Sequence, residues 1–408
     1  MRNKLIVQKF GGSSVSSIER IKNAALRALS YAKKGYKLVI VVSAMGDTTD
    51  ELIDLSSQIT KNPNPREMDM LLSTGEQVSS ALLAMSLQKL GLKAISLTGW
   101  QSGIASEDVH GKARIIKITP KRIEEELKHN KIVVVTGFQG INSKEDIATL
   151  GRGGSDLSAV ALAYALDAKI CEIYTDVNGI YTTDPRIEPK AKKIKQITYD
   201  EMLEMASLGA QVMQARSILF AKKFGVTIHV RSSLNKKAGT VILREAKMLE
   251  ESVVSAVTLN QSEAKITICD VPDKPGIAAT IFKEISKEGV NVDMIVQNVS
   301  RASTTDLSFT VSKGELKRAL RTSRKAANKI GAGKVFFDSD IARVSIVGVG
   351  MRSHSGIASK MFEILADNNI NIEMISTSEI SISCIIQKKF GKKAVQVLHD
   401  KFGLGVKQ

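Results

Sequence analysis

Cysteine is scarce: three in 408 residues, Cys171, Cys269 and Cys384, far apart and without CxxC or His/Cys ligand spacing. This argues against a disulfide framework or a structural zinc site and for a reducing, cytoplasmic setting. Proline is also sparse, at seven residues, and biased runs are few, so long disordered segments are not expected. Aromatic residues are 4% of the chain, too few for a base-stacking surface, and the one tryptophan, Trp100, reads as a packing residue. No stretch of about 18 apolar residues exists to span a membrane, and Met1–Gln8 lacks the apolar run of a signal peptide. The five histidines, His110, His129, His229, His354 and His399, show no metal-ligand spacing, so no protein-held metal is expected.

What is present is an ordinary globular composition, 43% apolar and 25% charged, in a chain long enough for two or three domains. The net charge of +16 is spread along the whole chain. It therefore reads as a solvated basic surface rather than a nucleic-acid stripe, though its field favours a polyanionic substrate.

Short β-branched runs recur at Lys4–Phe10, Lys37–Ser43, Lys93–Thr98, Lys131–Gly137, Ile170–Thr175 and Val226–Arg231. They alternate with amphipathic stretches such as Ser17–Lys33, Arg66–Leu90 and Ser155–Leu166. This predicts an α/β sandwich with a mainly parallel central sheet over 1–243, with ligands beyond the strand C-termini. Residues 244–263 read as a connector. Beyond it the sequence repeats with an offset of 80: Gly276, Ile277, Ala278, Phe282, Asn291, Met294 and Ile295 match Gly356, Ile357, Ala358, Phe362, Asn371, Met374 and Ile375. Two like α+β domains are expected, at 264–336 and 337–408.

Several segments carry chemistry. Lys9-Phe10-Gly11-Gly12-Ser13-Ser14 ends the first strand and precedes a helix. Glycines there let backbone N–H groups approach an anion, and a lysine can neutralise a phosphoryl group in transfer. It matches neither standard nucleotide-binding fingerprint. Thr149-Leu150-Gly151-Arg152-Gly153-Gly154-Ser155-Asp156 opens a helix, with Ser155 as candidate N-cap and Asp156 in the first turn. Capping explains those two residues. It does not explain Arg152 between glycines, which suits a grip on carboxylate or phosphate. The run Tyr174–Arg186 is rich in hydroxyls and charge, as a nucleotide-holding loop requires, although Asn-Gly and Asp-Pro also mark it as a plain turn. Ser43–Asp50 and Ser73–Glu76, taken singly, read as ordinary caps and helix residues.

Taken in order, KFGGSS, SAMGDTTDEL, STGEQVS, TGFQG, TLGRGGSD and YTDVNGIYTTDPR, with the Gly276/Gly356 repeat, resemble monofunctional bacterial aspartate kinase with tandem ACT domains. The resemblance spans the whole chain. It implies the amino-acid-kinase three-layer sandwich followed by two ferredoxin-like ACT domains, with ATP as phosphoryl donor and Mg2+ carried on its phosphates. The implied reaction forms 4-phospho-L-aspartate, the first step toward lysine, threonine and methionine. By the same resemblance Lys9 and Asp156 are catalytic. ATP contacts are implied for Lys9, Phe10, Gly11, Gly12, Ser13, Ser155, Thr175, Asp176, Tyr181 and Arg186. The aspartate pocket is implied to comprise Ser43, Asp47, Thr48, Thr49, Glu76, Arg152, Gly153, Gly154 and Ser155, with Glu76 meeting the α-ammonium.

One departure stands out. Some members place a lysine directly after the Ser-Ser that follows the last kinase strand, whereas here Ser232-Ser233 is followed by Leu234. Arg231, Lys236 and Lys237 are the remaining candidates for a second phosphate contact. In the first repeat, Asp273, Gly276, Ile277, Ala278, Asn291, Val292, Asp293 and Gln297 are expected to receive an amino-acid effector, lysine and/or threonine. The implied assembly is a homo-oligomer through the ACT domains, or a complex with a short regulatory subunit started near Met248. Phosphorylation of glutamate or carbamate, and a non-catalytic amino-acid sensor, are the competing readings. Arg152, Glu76 and the ACT pair weigh against the first, and intact Lys9 and Asp156 against the second.

Overall fold

The computed structural model describes residues 4–210, 212–245, 253–298 and 303–405. Met248 lies outside them. The chain forms two compact units. One comprises Met1–Ile180, Lys193–Ala206 and Gln211–Leu249; the other comprises Tyr181–Lys192, Ser207–Ala210 and Glu250–Gln408.

The strands of the first unit are, in chain order, β1 Leu5–Phe10, β2 Lys37–Val42, β3 Ala94–Leu97, β4 Ile104–Ser106, β5 Ile115–Ile118, β6 Ile132–Thr136, β7 Gln139–Ile141, β8 Ile147–Thr149, β9 Cys171–Thr175, β10 Gln196–Thr198, β11 Ile228–Ser232 and β12 Thr240–Leu243. Eight build the main sheet in the order β10-β12-β11-β9-β1-β2-β6-β3. Every pairing in it is parallel except β11 with β12. The six strands expected from β-branched runs are all present, within two residues of the expected ends. β2 is buried from Leu38 to Val42 and β6 throughout, as a sheet covered on both faces demands.

Helices α1 Ile18–Ala32 and α3 Pro65–Lys89 cover one face. Ile21, Ala24, Ala25 and Ala28 of α1 and Leu83, Ala84 and Leu87 of α3 pack with Ile6, Phe10, Leu38, Ile40, Val42, Ile132 and Val134. Ser17 caps α1 by accepting from Arg20 N at 3.3 Å, and Asn64 with Pro65 opens α3. The shorter helices α2 Thr48–Ile59 and α4 Lys121–Lys128 precede α5 Gly154–Ala165. Ten of the 12 residues of α5 are buried, consistent with a helix that is apolar on nearly every side. The chain runs from β1 to one side through β2 and later returns to the other side through β9, so the crevice at the end of β1 is a topological switch point.

Four short strands form a second sheet, β5-β4-β7-β8, that was not anticipated. At three or four residues each they are too short for periodicity to reveal.

In the second unit, β14 Glu263–Pro272, β15 Val292–Gln297, β16 Thr304–Ser312 and β17 Val335–Asp338 form an antiparallel sheet ordered β15-β16-β14-β17. The second antiparallel sheet is ordered β13-β18-β20-β19, from β13 Ala256–Asn260, β18 Ile341–Val347, β19 Met374–Thr377 and β20 Ser381–Gln387. β13 lies inside 244–263, so that stretch is not simply a connector. It pairs along its length with β18, from Ala256 with Val347 to Asn260 with Arg343. β17 completes the first repeat's sheet, and the second repeat takes its fourth strand from before the first. The matched glycines now have a cause: Gly276 (φ 89°) and Gly356 (φ 85°) cap the helices Ile277–Lys287 and Ile357–Asp367 in a left-handed conformation that favours glycine. No helix among the described residues is long and apolar enough to cross a membrane.

Candidate active site

β1 delivers Lys9 to the crevice, and the chain then turns sharply. Gly11 N donates to Tyr174 O at 3.2 Å, and Gly12–Ser14 forms a single 3-10 turn. A Cβ on Gly12 would stand 3.1 Å from Ala44 O and 3.3 Å from Gly46 O, so a side chain there would push two backbones apart. Gly46 N donates back to Gly12 O, and Ser43 N to Phe10 O, which locks the loop after β2 onto the turn. The first N–H groups of a helical turn lack intrahelical acceptors and suit an anion.

The opposite wall is the start of α5. Gly151 (φ 76°) and Gly153 (φ 72°) are both left-handed. Gly153, not Ser155, occupies the N-cap, and it makes no side-chain cap bond. Ser155 is the second residue of the helix and packs on the strand end instead: a Cβ on Gly137 would stand 2.7 Å from its Oγ. Asp156 is in the first turn as expected, and its Oδ1 is 2.6 Å from Lys9 Nζ. Both side chains are about nine-tenths buried. The contact is an ion pair rather than an aligned hydrogen bond, since that oxygen has no hydrogen-bond partner.

α3 supplies Glu76, 3% exposed. Its Oε1 accepts from Ala44 N at 3.0 Å, while Oε2 is buried with no hydrogen-bond partner. Burial pushes its carboxyl up to about 7, opposed by the Ala44 hydrogen bond. Two helical turns earlier Asp69, 1% exposed, accepts from Thr149 Oγ1 (2.5 Å) and Gly111 N, and lies 2.8 Å from His110 Nδ1. It pins β8 and the 108–111 loop beneath the Gly151–Gly153 turn. Asp69 and the pairing of His110 were not singled out in the sequence. The available signal was the seven-residue spacing of Asp69 and Glu76, which puts both on one face of a helix.

These elements enclose a cavity of about 660 Å3. Lys9, Gly12, Ser43, Thr49, Glu76, Arg152, Gly153, Gly154, Ser155 and Asp156 all line it, drawn from four separate motifs, and Asp50 and Asp69 join them. Asp47 and Thr48 do not: Asp47 is the exposed N-cap of α2 and Thr48 its first residue. Phe10 is buried and stacked on Tyr174 with ring centroids 4.7 Å apart, so its side chain belongs to the core.

Thr175 and Asp176 stand at the end of β9, joined by a 3.0 Å hydrogen bond. Tyr181 and Arg186 fall in the second unit, where Arg186 Nη2 holds Asp184 at 2.7 Å. Arg231 is engaged with Tyr31 (2.7 Å) and Glu172 (3.0 Å). Among the described residues no group of three or more His, Cys, Asp or Glu could hold a metal ion.

In the first regulatory repeat β14 ends at Pro272, and Asp273, Gly276, Ile277 and Ala278 make the turn into the following helix. Asn291 precedes β15, which carries Val292, Asp293 and Gln297. Asp293 has a partner that the sequence did not reveal: Arg343 Nη1 of β18 lies 2.7 Å from its Oδ2, and Arg343 Nη2 lies 2.6 Å from Glu263.

The amino acid kinase family profile matches residues 4–232, and an ACT domain profile matches 270–326 and 344–402. An aspartate kinase of Stutzerimonas stutzeri is 51% identical over 98% of this chain and 97% of that protein. An aspartokinase of Geobacillus stearothermophilus is 49% identical, covering 98% and 97%. The crystal structure of aspartate kinase from Synechocystis is 44% identical, with a TM-score of 0.55 over 99% of this chain and 70% of that one. Escherichia coli aspartokinase III, crystallised with aspartate and ADP, shares the fold with a TM-score of 0.82 at 23% identity. Whole-chain identity near one half, with the kinase and ACT profiles in sequence, places the chain in the aspartate kinase family.

Proposed function

We propose that this chain transfers the γ-phosphoryl group of ATP to the β-carboxylate of L-aspartate, giving 4-phospho-L-aspartate. The observation that carries the reading is the unpartnered, buried Oε2 of Glu76 in a cavity that also presents Arg152 and the Lys9–Asp156 pair. A buried carboxylate oxygen without a donor calls for a cationic ligand group, and the α-ammonium of an amino acid supplies one. Arg152, between two left-handed glycines, is suited to a substrate carboxylate.

The acceptor carboxylate is already ionised at neutral pH, so no strong base is required. The task is to bring two anions together, which falls to positioning and electrostatics. Lys9 neutralises charge on the phosphoryl group as it passes, and Asp156 holds the ammonium in place. The N–H groups of Gly12 and Ser13 in the glycine turn are proposed to receive phosphate oxygens, and Thr175, Asp176, Tyr181 and Arg186 to hold the nucleotide. Mg2+ bound to the ATP phosphates supplies further neutralisation of their charge.

Regulation by lysine and/or threonine is proposed at the Asp273–Ala278 turn with Asn291, Val292, Asp293 and Gln297. The assembly is proposed to be a homo-oligomer through the regulatory sheets, or a complex with a short subunit begun near Met248. An ATP-dependent hydroxamate assay tests the reaction, with aspartate and glutamate as acceptors and with lysine and threonine added singly and together. Product with aspartate alone is expected. Equal turnover of glutamate would overturn the assignment of acceptor.

A further inference from the structure

Three segments meet beside the glycine turn: Ser14 of the turn, Thr175 at the end of β9, and the loop that follows β11. Ser233 ties them together. Its N and Oγ donate to Thr175 O at 2.8 and 3.1 Å, and its Oγ accepts from Ser14 Oγ at 2.9 Å. Two residues on, Asn235 Nδ2 donates to Asn178 Oδ1 at 2.6 Å. The loop is then held from α1. Arg27 Nη2 donates to Ser233 O at 3.2 Å and to Asn235 O at 2.6 Å, while the guanidinium lies 4.7 Å from the centroid of the Tyr174 ring.

Both hydrogen-bond acceptors of Arg27 are neutral carbonyls, so its charge is not cancelled by them. Arg20, Lys34, Arg231 and Lys236 join Arg27 around an adjoining cavity of about 620 Å3, and no carboxylate lines it. Arg27 Nη2 makes both carbonyl bonds while the planar guanidinium lies over the aromatic face, a flat stacking geometry that a lysine ammonium does not reproduce.

We infer that Arg27 is a positioning residue for the nucleotide: it fixes the 233–235 loop against the turn that receives the phosphates, and it adds an uncancelled positive charge behind that turn. The inference rests on the placement of the phosphates at Gly12 and Ser13. It concerns the nucleotide alone, because Arg27 does not line the cavity that holds Glu76 and Arg152.

The test compares the full-length chain with Arg27→Gln and Arg27→Lys by initial-rate kinetics, with thermal unfolding alongside. Loss of charged hydrogen bonds is expected to raise the KM for ATP about tenfold in Arg27→Gln. The KM for aspartate should stay within roughly twofold, and the lost bonds should lower the unfolding midpoint by only about 2–4 °C. Arg27→Lys keeps the charge without the grip and should fall between. The difference between wild type and Arg27→Gln should narrow as salt rises. An unchanged KM for ATP, or a parallel rise of both KM values with a lowered midpoint, would overturn the inference and leave Arg27 a packing residue. Wild-type protein that fails to turn over ATP with aspartate would sink the reading of the site itself.

Discussion

Lys9 Nζ stands 2.6 Å from Asp156 Oδ1, joining the last turn of a strand to the first turn of a helix 147 residues later. Both groups are nearly buried, so each restrains the other. The ammonium is held where β1 ends and α5 begins, between the glycine turn and the walls that carry Glu76 and Arg152. Replacing Lys9 by Ala should lower kcat about 10²–10³-fold, the usual scale for removing one preorganised electrostatic group. The variant's circular dichroism and unfolding midpoint should show a folded protein. Near-normal kcat in a folded Lys9→Ala variant would remove Lys9 from the chemistry.

Arg152 leads to a sharper split. Its guanidinium is on the exposed turn between Gly151 and Gly153, and it faces the cavity with Glu76. Arg152→Ala is expected to raise the KM for aspartate by roughly 10–100-fold, the worth of a charge-assisted pair, with little effect on the KM for ATP. A rise confined to ATP would move Arg152 to the nucleotide site.

Glu76 makes the reaction pH-dependent. Burial raises its carboxyl to about 7, so in the empty protein it is increasingly protonated as pH falls through 7. The KM for aspartate should therefore rise on acidification between about pH 7.5 and 6, well above the range in which the substrate carboxylates titrate. The stability sign is the opposite. The folded value exceeds the unfolded one, so the folded state binds the extra proton, and the contribution to stability is present below about pH 4.5 and lost as pH rises toward 7. Glu76→Gln should flatten this part of the KM profile and make the ligand-free protein relatively more stable above pH 7. A profile that survives in Glu76→Gln assigns the titration to another group.

Asp293 and Arg343 connect the two regulatory sheets, since Asp293 lies on β15 and Arg343 on β18. Glu263 shares Arg343, and burial raises its carboxyl to about 7, with nearby Asp293 adding to the rise. Asp293→Ala should weaken the response to lysine or threonine, because an effector acts only through contacts that differ between two states. It should also lower the Glu263 value, by removing a like charge. Dose–response curves and a carboxyl NMR titration measure the two effects. An unchanged inhibition curve would place the effector elsewhere.

Much of the kinase unit was legible. Strands such as Lys37–Val42 and Ile132–Thr136 announce themselves as unbroken β-branched runs because both faces of the sheet are covered. The Gly-rich turns, with Lys9, Arg152 and Asp156, were legible because a close backbone approach restricts residue type locally. The errors arose where a partner distant in sequence decides the outcome. Ser155 looks like an N-cap by type, yet the left-handed Gly153 takes that place and Ser155 packs against Gly137. β13 looks like linker because its five residues show no clear alternation, and only β18 makes a strand of it.

The sequence by itself determined the local terms: which segments alternate, which turns need glycine, where charge is placed, and that 264–408 contains one pattern twice. Tertiary structure decided the pairings. The Glu76 carboxylate reaches Ala44 N only because α3 packs beside the loop after β2, and the same packing buries its second oxygen with no hydrogen-bond donor beside it. Arg27 finds Ser233 and Asn235, more than 200 residues away, because β11 lies beside β9 and β9 beside β1. Periodicity and turn chemistry act between near neighbours in the chain, whereas burial, desolvation and ion pairing depend on which distant segments the topology brings together.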